Sequence, residues 1–186
     1  MEIDSGNTAW VLVSAAMVAF MTPGLAFFYG GMVRGKHVLA MLMQNVIAMG
    51  IVSVLWALVG FSIAFGGDGS LIGNLDFFAM SDMHLPDLVL PGYVGDFALS
   101  IPPMAFFAFQ MMFAVITPAL ITGATADRMK FKAYVVFIAV WSVLCYSVVA
   151  HWVFSPNGWL FELGALDFAG GAVIHINAGT AALALI

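Results

Sequence analysis

Basic side chains occur in only two short stretches of this chain, and what lies around them is long, uncharged and apolar. Arg34 and Lys36 form one cluster, and Arg128, Lys130 and Lys132 form the other; these five are all the Lys and Arg present. A helix needs about 20 apolar residues to cross a hydrocarbon core of ~30 Å, and the runs between charges supply them. The spacing predicts five spans, at roughly 7–33, 37–67, 97–126, 133–154 and 168–186. Charged residues make up 8% of the chain, against ~25% in soluble domains, and the mean hydropathy is +1.07. Alternating strand patterns with frequent turns are absent, which disfavours a membrane barrel. The reading is an all-α, polytopic membrane protein whose first partner is the lipid bilayer.

The charges also orient it. The two basic clusters follow the first and third spans and so share a side. The loop from Asp68 to Asp96 has no Lys or Arg but carries Asp76, Asp82 and Asp87. By the positive-inside rule the basic loops face the cytoplasm of a plasma-membrane protein. The acidic loop and the N-terminus, with Glu2 and Asp4, are then outside. The basic start of a signal peptide is missing. The last span ends at Ala-Leu-Ala-Leu-Ile186 without basic flank or polar cap, so we expect more protein beyond it. The excess of 10 Asp and Glu over 5 Lys and Arg argues against nucleic acid as a partner. The single cysteine, Cys145, excludes an internal disulfide and fits no metal spacing. No nucleophile–base pair, metal cluster or phosphate loop suggests an enzyme or a cofactor.

Polar groups inside the spans carry the remaining information, because they are costly in hydrocarbon and tend to face a bundle interior or a water-filled path. Gln44 and Asn45 suit interhelical hydrogen bonds. His151 falls near the outer end of the fourth span, at the membrane interface. If Phe168 opens the fifth span, His175 lies ~10 Å down the helix. A neutral imidazole there has one donor and one acceptor, and serves either as a satisfied core residue or as a relay. Asp167 suits the N-cap of that helix, where its carboxylate accepts free backbone N–H groups; a carboxylate at an outer mouth also concentrates cations. Phe109 and Phe113 share a helix face at i, i+4, with Gln110 pointing elsewhere; packing, lipid contact and a gate are all open for them. Pro23 and Pro118 should kink their helices, while the pairs Gly30–Gly31 and Gly170–Gly171 allow close helix approach.

Three long stretches resemble the ammonium transporter family (Amt/MEP, with the Rh proteins as relatives). They are TPGLAFFYGGMVRGKHVLAMLMQN (22–45), FQMMFAVITPALITGATADRMKF (109–131) and DFAGGAVIHINAG (167–179). The resemblance implies an eleven-helix fold whose first five and next five helices form an inverted repeat around one pore per subunit, in a homotrimer. This chain would be the N-terminal half. It implies ammonium or ammonia as substrate, passing an aromatic gate and a pore histidine. Phe109 and Phe113 match the stacked phenylalanine gate, Tyr146 a tyrosine near the outer vestibule, and Asp167 an aspartate near the recruitment site. His175 matches the first of twin pore histidines. Phe154 falls where the family usually has tryptophan, a stronger cation–π face with an N–H donor; Trp152, two residues away, should face elsewhere. The second histidine would come from beyond Ile186. A PII-type regulatory protein, or a fused signalling domain, is the implied cytoplasmic partner. The alternative function is an ammonium sensor, in which such a membrane domain drives a signalling domain. A half-pore without activity is a third reading for these 186 residues alone.

Overall fold

Local chemistry sets the starts of two of the long helices. Asp4 caps the first helix, α1 (Ser5–Gly30), by accepting from the Asn7 N–H at 2.6 Å. Pro103 opens α4 at its first position, where a missing N–H costs nothing. The computed structural model describes residues 3–85 and 87–186; Glu2 lies outside them. Among the described residues there are helices and loops but no strand.

After α1 and a short turn, α2 (Val38–Leu55) runs through a π-helical segment, Trp56–Gly60, into α3 (Phe61–Phe65) as one rod. A long acidic loop leads to α4 (Pro103–Thr125). Next, α5 (Phe131–Trp141) continues through a second π segment, Ser142–Tyr146, into α6 (Ser147–Phe154). The short α7 (Trp159–Glu162) follows a turn, and a π segment, Gly171–Ile176, opens into α8 (Asn177–Leu185). Among the described residues, four helical stretches are long and apolar enough to cross a membrane: Ser5–Gly30, Gly35–Phe65, Pro103–Thr125 and Phe131–Glu162. The fifth apolar helix, Gly171–Leu185, is shorter than the expected 168–186 and spans about 22 Å. Residues 98–102 and 168–170, read as helical from composition, are loop, and Phe97 ends a short 3-10 turn, Gly95–Phe97. α1 and α4 remain helical through Pro23 and Pro118.

The core sits around α4. It buries fourteen of its residues, while α1 buries four and exposes Trp10, Phe20, Phe27 and Phe28. The acidic loop folds back rather than hanging free. Phe77, Met83, Leu90, Tyr93 and Ile101 are buried with Phe61, Phe65, Phe106 and Phe107 in one cluster. Buried polar groups stitch the helices. Asn45 donates to the Thr122 hydroxyl at 3.3 Å, joining α2 to α4, and the Tyr29 hydroxyl donates to the Leu120 carbonyl, joining α1 to α4. Gln44 does not do likewise: it is 5% exposed and its side-chain carbonyl has no partner. At the basic end His37 Nδ1 lies 3.1 Å from the Asp127 carboxylate, bridging the two basic loops.

Candidate functional site

The last helix begins in a way its sequence only half announces. Gly170, at φ 77°, is the residue that enters it; only glycine adopts this backbone freely, and a Cβ would also strike the Ile174 side chain. Asp167, three residues further back, supplies the cap. Its carboxylate accepts from the N–H groups of Gly171 at 2.6 Å and of Ala172 and Val173 at 3.0 Å. The free donors of the first turn are thus met by one anion. Phe168, expected to open the helix, is 92% exposed in the preceding loop. His175 therefore lies about 6 Å from the helix start instead of ~10 Å. It sits within a π segment, a geometry found often at functional sites.

His175 is exposed in this chain. It lines an open groove of about 390 Å³ together with Val18, Met21, Leu25, Phe113 and Ile174. The lining is apolar apart from the imidazole, and α1, α4 and the last helix each contribute to it. Phe109 packs edge-on against Phe113, with ring centres 4.8 Å apart and planes at 89°, rather than stacked. Phe113 is braced from below: Thr117, fully buried, donates its hydroxyl to the Phe113 carbonyl at 2.6 Å.

The other residues singled out in the sequence lie elsewhere. Tyr146 is fully buried in the core, its ring edge-on to Trp56 at 6.1 Å. Thr117 lies beside its hydroxyl, but no hydrogen bond of ordinary geometry joins them. Phe154 is half-buried at the end of α6, and its carbonyl accepts from the Tyr93 hydroxyl at 3.0 Å. Burial pushes the Tyr93 phenol far above its ordinary range, so it stays a neutral donor. Trp152 faces the acidic loop, donating to the Leu71 carbonyl at 2.6 Å. His151 does not stand exposed at the end of its span. It is 0% exposed, and both ring nitrogens meet carbonyls.

Sequence reasoning missed the α1 wall of the groove and the brace at Thr117. Val18, Met21 and Leu25 carried no signal, because α1 is apolar on every face. Thr117 precedes Pro118, and Thr–Pro in a membrane helix could have drawn attention to the Phe113 carbonyl one turn back.

Against known proteins, the profile described as Ammonium Transporter Family matches residues 9–186. An ammonium transporter of Mycobacterium tuberculosis (strain ATCC 25618 / H37Rv) is 49% identical over 98% of this chain and 42% of its own length. The crystal structure of Candida albicans Mep2 superposes with a TM-score of 0.86 at 32% identity, covering 98% of this chain and 39% of that one. A structure described as a Sensor Amt Protein superposes with a TM-score of 0.83 at 33% identity, covering 96% of this chain and 42% of that one. The chain thus spans less than half the length of these relatives.

Proposed function

The chain belongs to the ammonium transporter family, and from that premise we propose that the protein it is part of moves ammonium or ammonia across the plasma membrane along a path of which this chain forms one wall. One observation carries the reading: Phe113 and His175, from different helices, line the same apolar groove. An aromatic ring at the mouth and a carboxylate nearby attract a cation. A bare charge is then costly in an apolar passage, which favours giving up the proton before or during transit. His175 is the group in the groove able to hold a proton or a polar solute.

The roles follow. Phe154 belongs to the outer collecting surface, Phe109 and Phe113 to the gate, and Tyr146 to the packing behind it. Asp167 fixes the start of the helix that presents His175. The acidic loop and the N-terminus lie outside, and the basic loops with the His37–Asp127 bridge lie in the cytoplasm. The five helices are the first half of an inverted repeat, and three subunits assemble. Cytoplasmic control by a PII-type protein or a fused domain belongs to the same reading. Uptake or ammonium-evoked current by the full-length protein tests it; a signal no larger than that of empty membranes would sink it.

A second reading has its own support. The likeness to a Sensor Amt Protein, together with a phenylalanine at 154 in place of a ring with an N–H donor, fits ammonium sensing. The discriminating outcome is ammonium binding that alters a cytoplasmic activity without net uptake.

A further inference from the structure

We propose that His151 is a positioning residue for the outer mouth of this path, and that it acts as an imidazolium whose two N–H groups clamp α6 to the segment 64–71. The role at the mouth rests on the transport reading above; the clamp itself does not.

The geometry is specific. His151 Nδ1 lies 2.9 Å from the Ala64 carbonyl oxygen, and Nε2 lies 2.6 Å from the Gly69 carbonyl oxygen. Both partners can only accept. A neutral imidazole carries one N–H, so either tautomer leaves a ring lone pair against a carbonyl lone pair. The ring is 0% exposed, and water cannot relieve that contact. The doubly protonated ring donates to both oxygens, and charge-assisted bonds of this kind are short.

The position favours a cation for a second reason. Ala64 lies in the last turn of the rod that starts at Val38, where carbonyls run out of donors within the helix. The Gly66 N–H meets Ser62 at 2.8 Å, the Gly73 N–H meets Ile63 at 2.9 Å, and His151 meets Ala64. The partial negative charge of a helix C-terminus stabilises an imidazolium. The titratable groups on the elements around α6 are Asp68, Tyr93, Cys145, Tyr146, Glu162 and His175. Asp68 is the one within the clamped segment, and its sign also favours the charged ring.

The clamp anchors more than itself. Trp152 Nε1 donates to Leu71, Asn157 to Gly67 at 3.2 Å, and the Trp159 N–H to Ser70 at 3.1 Å. Gly158 lies against the His151 carbonyl so tightly that any Cβ would overlap it. Phe154, one turn beyond His151, is carried on this tethered stretch.

The test uses the full-length protein in bilayers. Solid-state NMR with ¹⁵N-histidine and ¹³C-carbonyl labels identifies His151 by its contacts to Ala64 and Gly69 and needs no variant. Two protonated ring nitrogens at neutral pH are expected; one bare nitrogen overturns the imidazolium. In His151→Gln and His151→Asn, hydrogen exchange across 66–73 should rise about tenfold, the loss of one charged hydrogen bond. Unchanged exchange overturns the clamp, and failure of both variants to fold leaves the NMR result deciding. The half-saturating ammonium concentration should rise about tenfold with the maximal rate kept. A fall in maximal rate alone overturns the positioning role. A wild-type protein that takes up no ammonium refutes the transport reading and with it the role at the mouth, while NMR and exchange still decide the clamp.

Discussion

Two histidines mark two different regions of this molecule. At the acidic end, His151 is buried among carbonyls, and the last turn of α6 is held by hydrogen bonds from side chains and backbone alike. In the groove, His175 stands exposed on an apolar wall. The first is fully committed and the second is free. An imidazole with both nitrogens satisfied supports structure, whereas one facing an open apolar surface is available to a solute. The two imidazoles are thus distinguished by their partners and not by their type.

The sharpest way to break this contrast is to truncate both rings. His151→Ala leaves the Ala64 and Gly69 carbonyls without donors and should cost about 3 kcal/mol or more. His175→Ala should shift stability by no more than about 0.5 kcal/mol while strongly changing ammonium uptake. Thermal unfolding in detergent, read beside uptake, checks the pair, and equal destabilisation would erase the contrast. Asp167→Ala comes next. It strips three N–H groups of their acceptor, should destabilise by about 3 kcal/mol, and should disorder the helix that presents His175. Asp167→Asn keeps a neutral acceptor and should fall between. Gly158→Ala forces a Cβ into the His151 and Trp152 carbonyls, and should cost about 2 kcal/mol with its effect confined to the acidic end.

The smallest effect belongs to Tyr93→Phe, which removes the bond to the Phe154 carbonyl for about 1 kcal/mol. It also carries a pH signature. Burial holds the folded-state phenol protonated beyond its ordinary range, whereas the unfolded chain ionises near pH 10. Stability should therefore be unaffected below about pH 10 and fall above it. Tyr93→Phe should flatten that fall.

Much of the outline was legible in the chain itself, and the reasons are local. Long uncharged runs specify membrane helices because backbone groups in lipid must bond within their own segment. Basic residues gathered in two loops put those loops on one side. Asp167 was legible as a cap because a carboxylate ahead of a helix has few better uses, although the break at Gly170 moved the helix start past Phe168. The motif around His175 lies on the helix that contributes to the groove. What stayed illegible is equally physical. Where every helix face is apolar, periodicity cannot tell the core from lipid, so nothing distinguished buried α4 from exposed α1, or the wall formed by Val18, Met21 and Leu25. Gln44 and Asn45 are adjacent in sequence and chemically alike, yet only Asn45 meets a partner across the bundle. His151 read as an interface residue because the carbonyls it meets, of Ala64 at the end of α3 and Gly69 in the loop beyond it, lie more than eighty residues earlier. Composition and capping, which act over a turn of helix, determined what this chain is and roughly where it crosses. The return of the acidic loop over α6, a long-range packing event, decided that His151 is buried with both ring nitrogens against carbonyls, while His175 stays exposed in the groove.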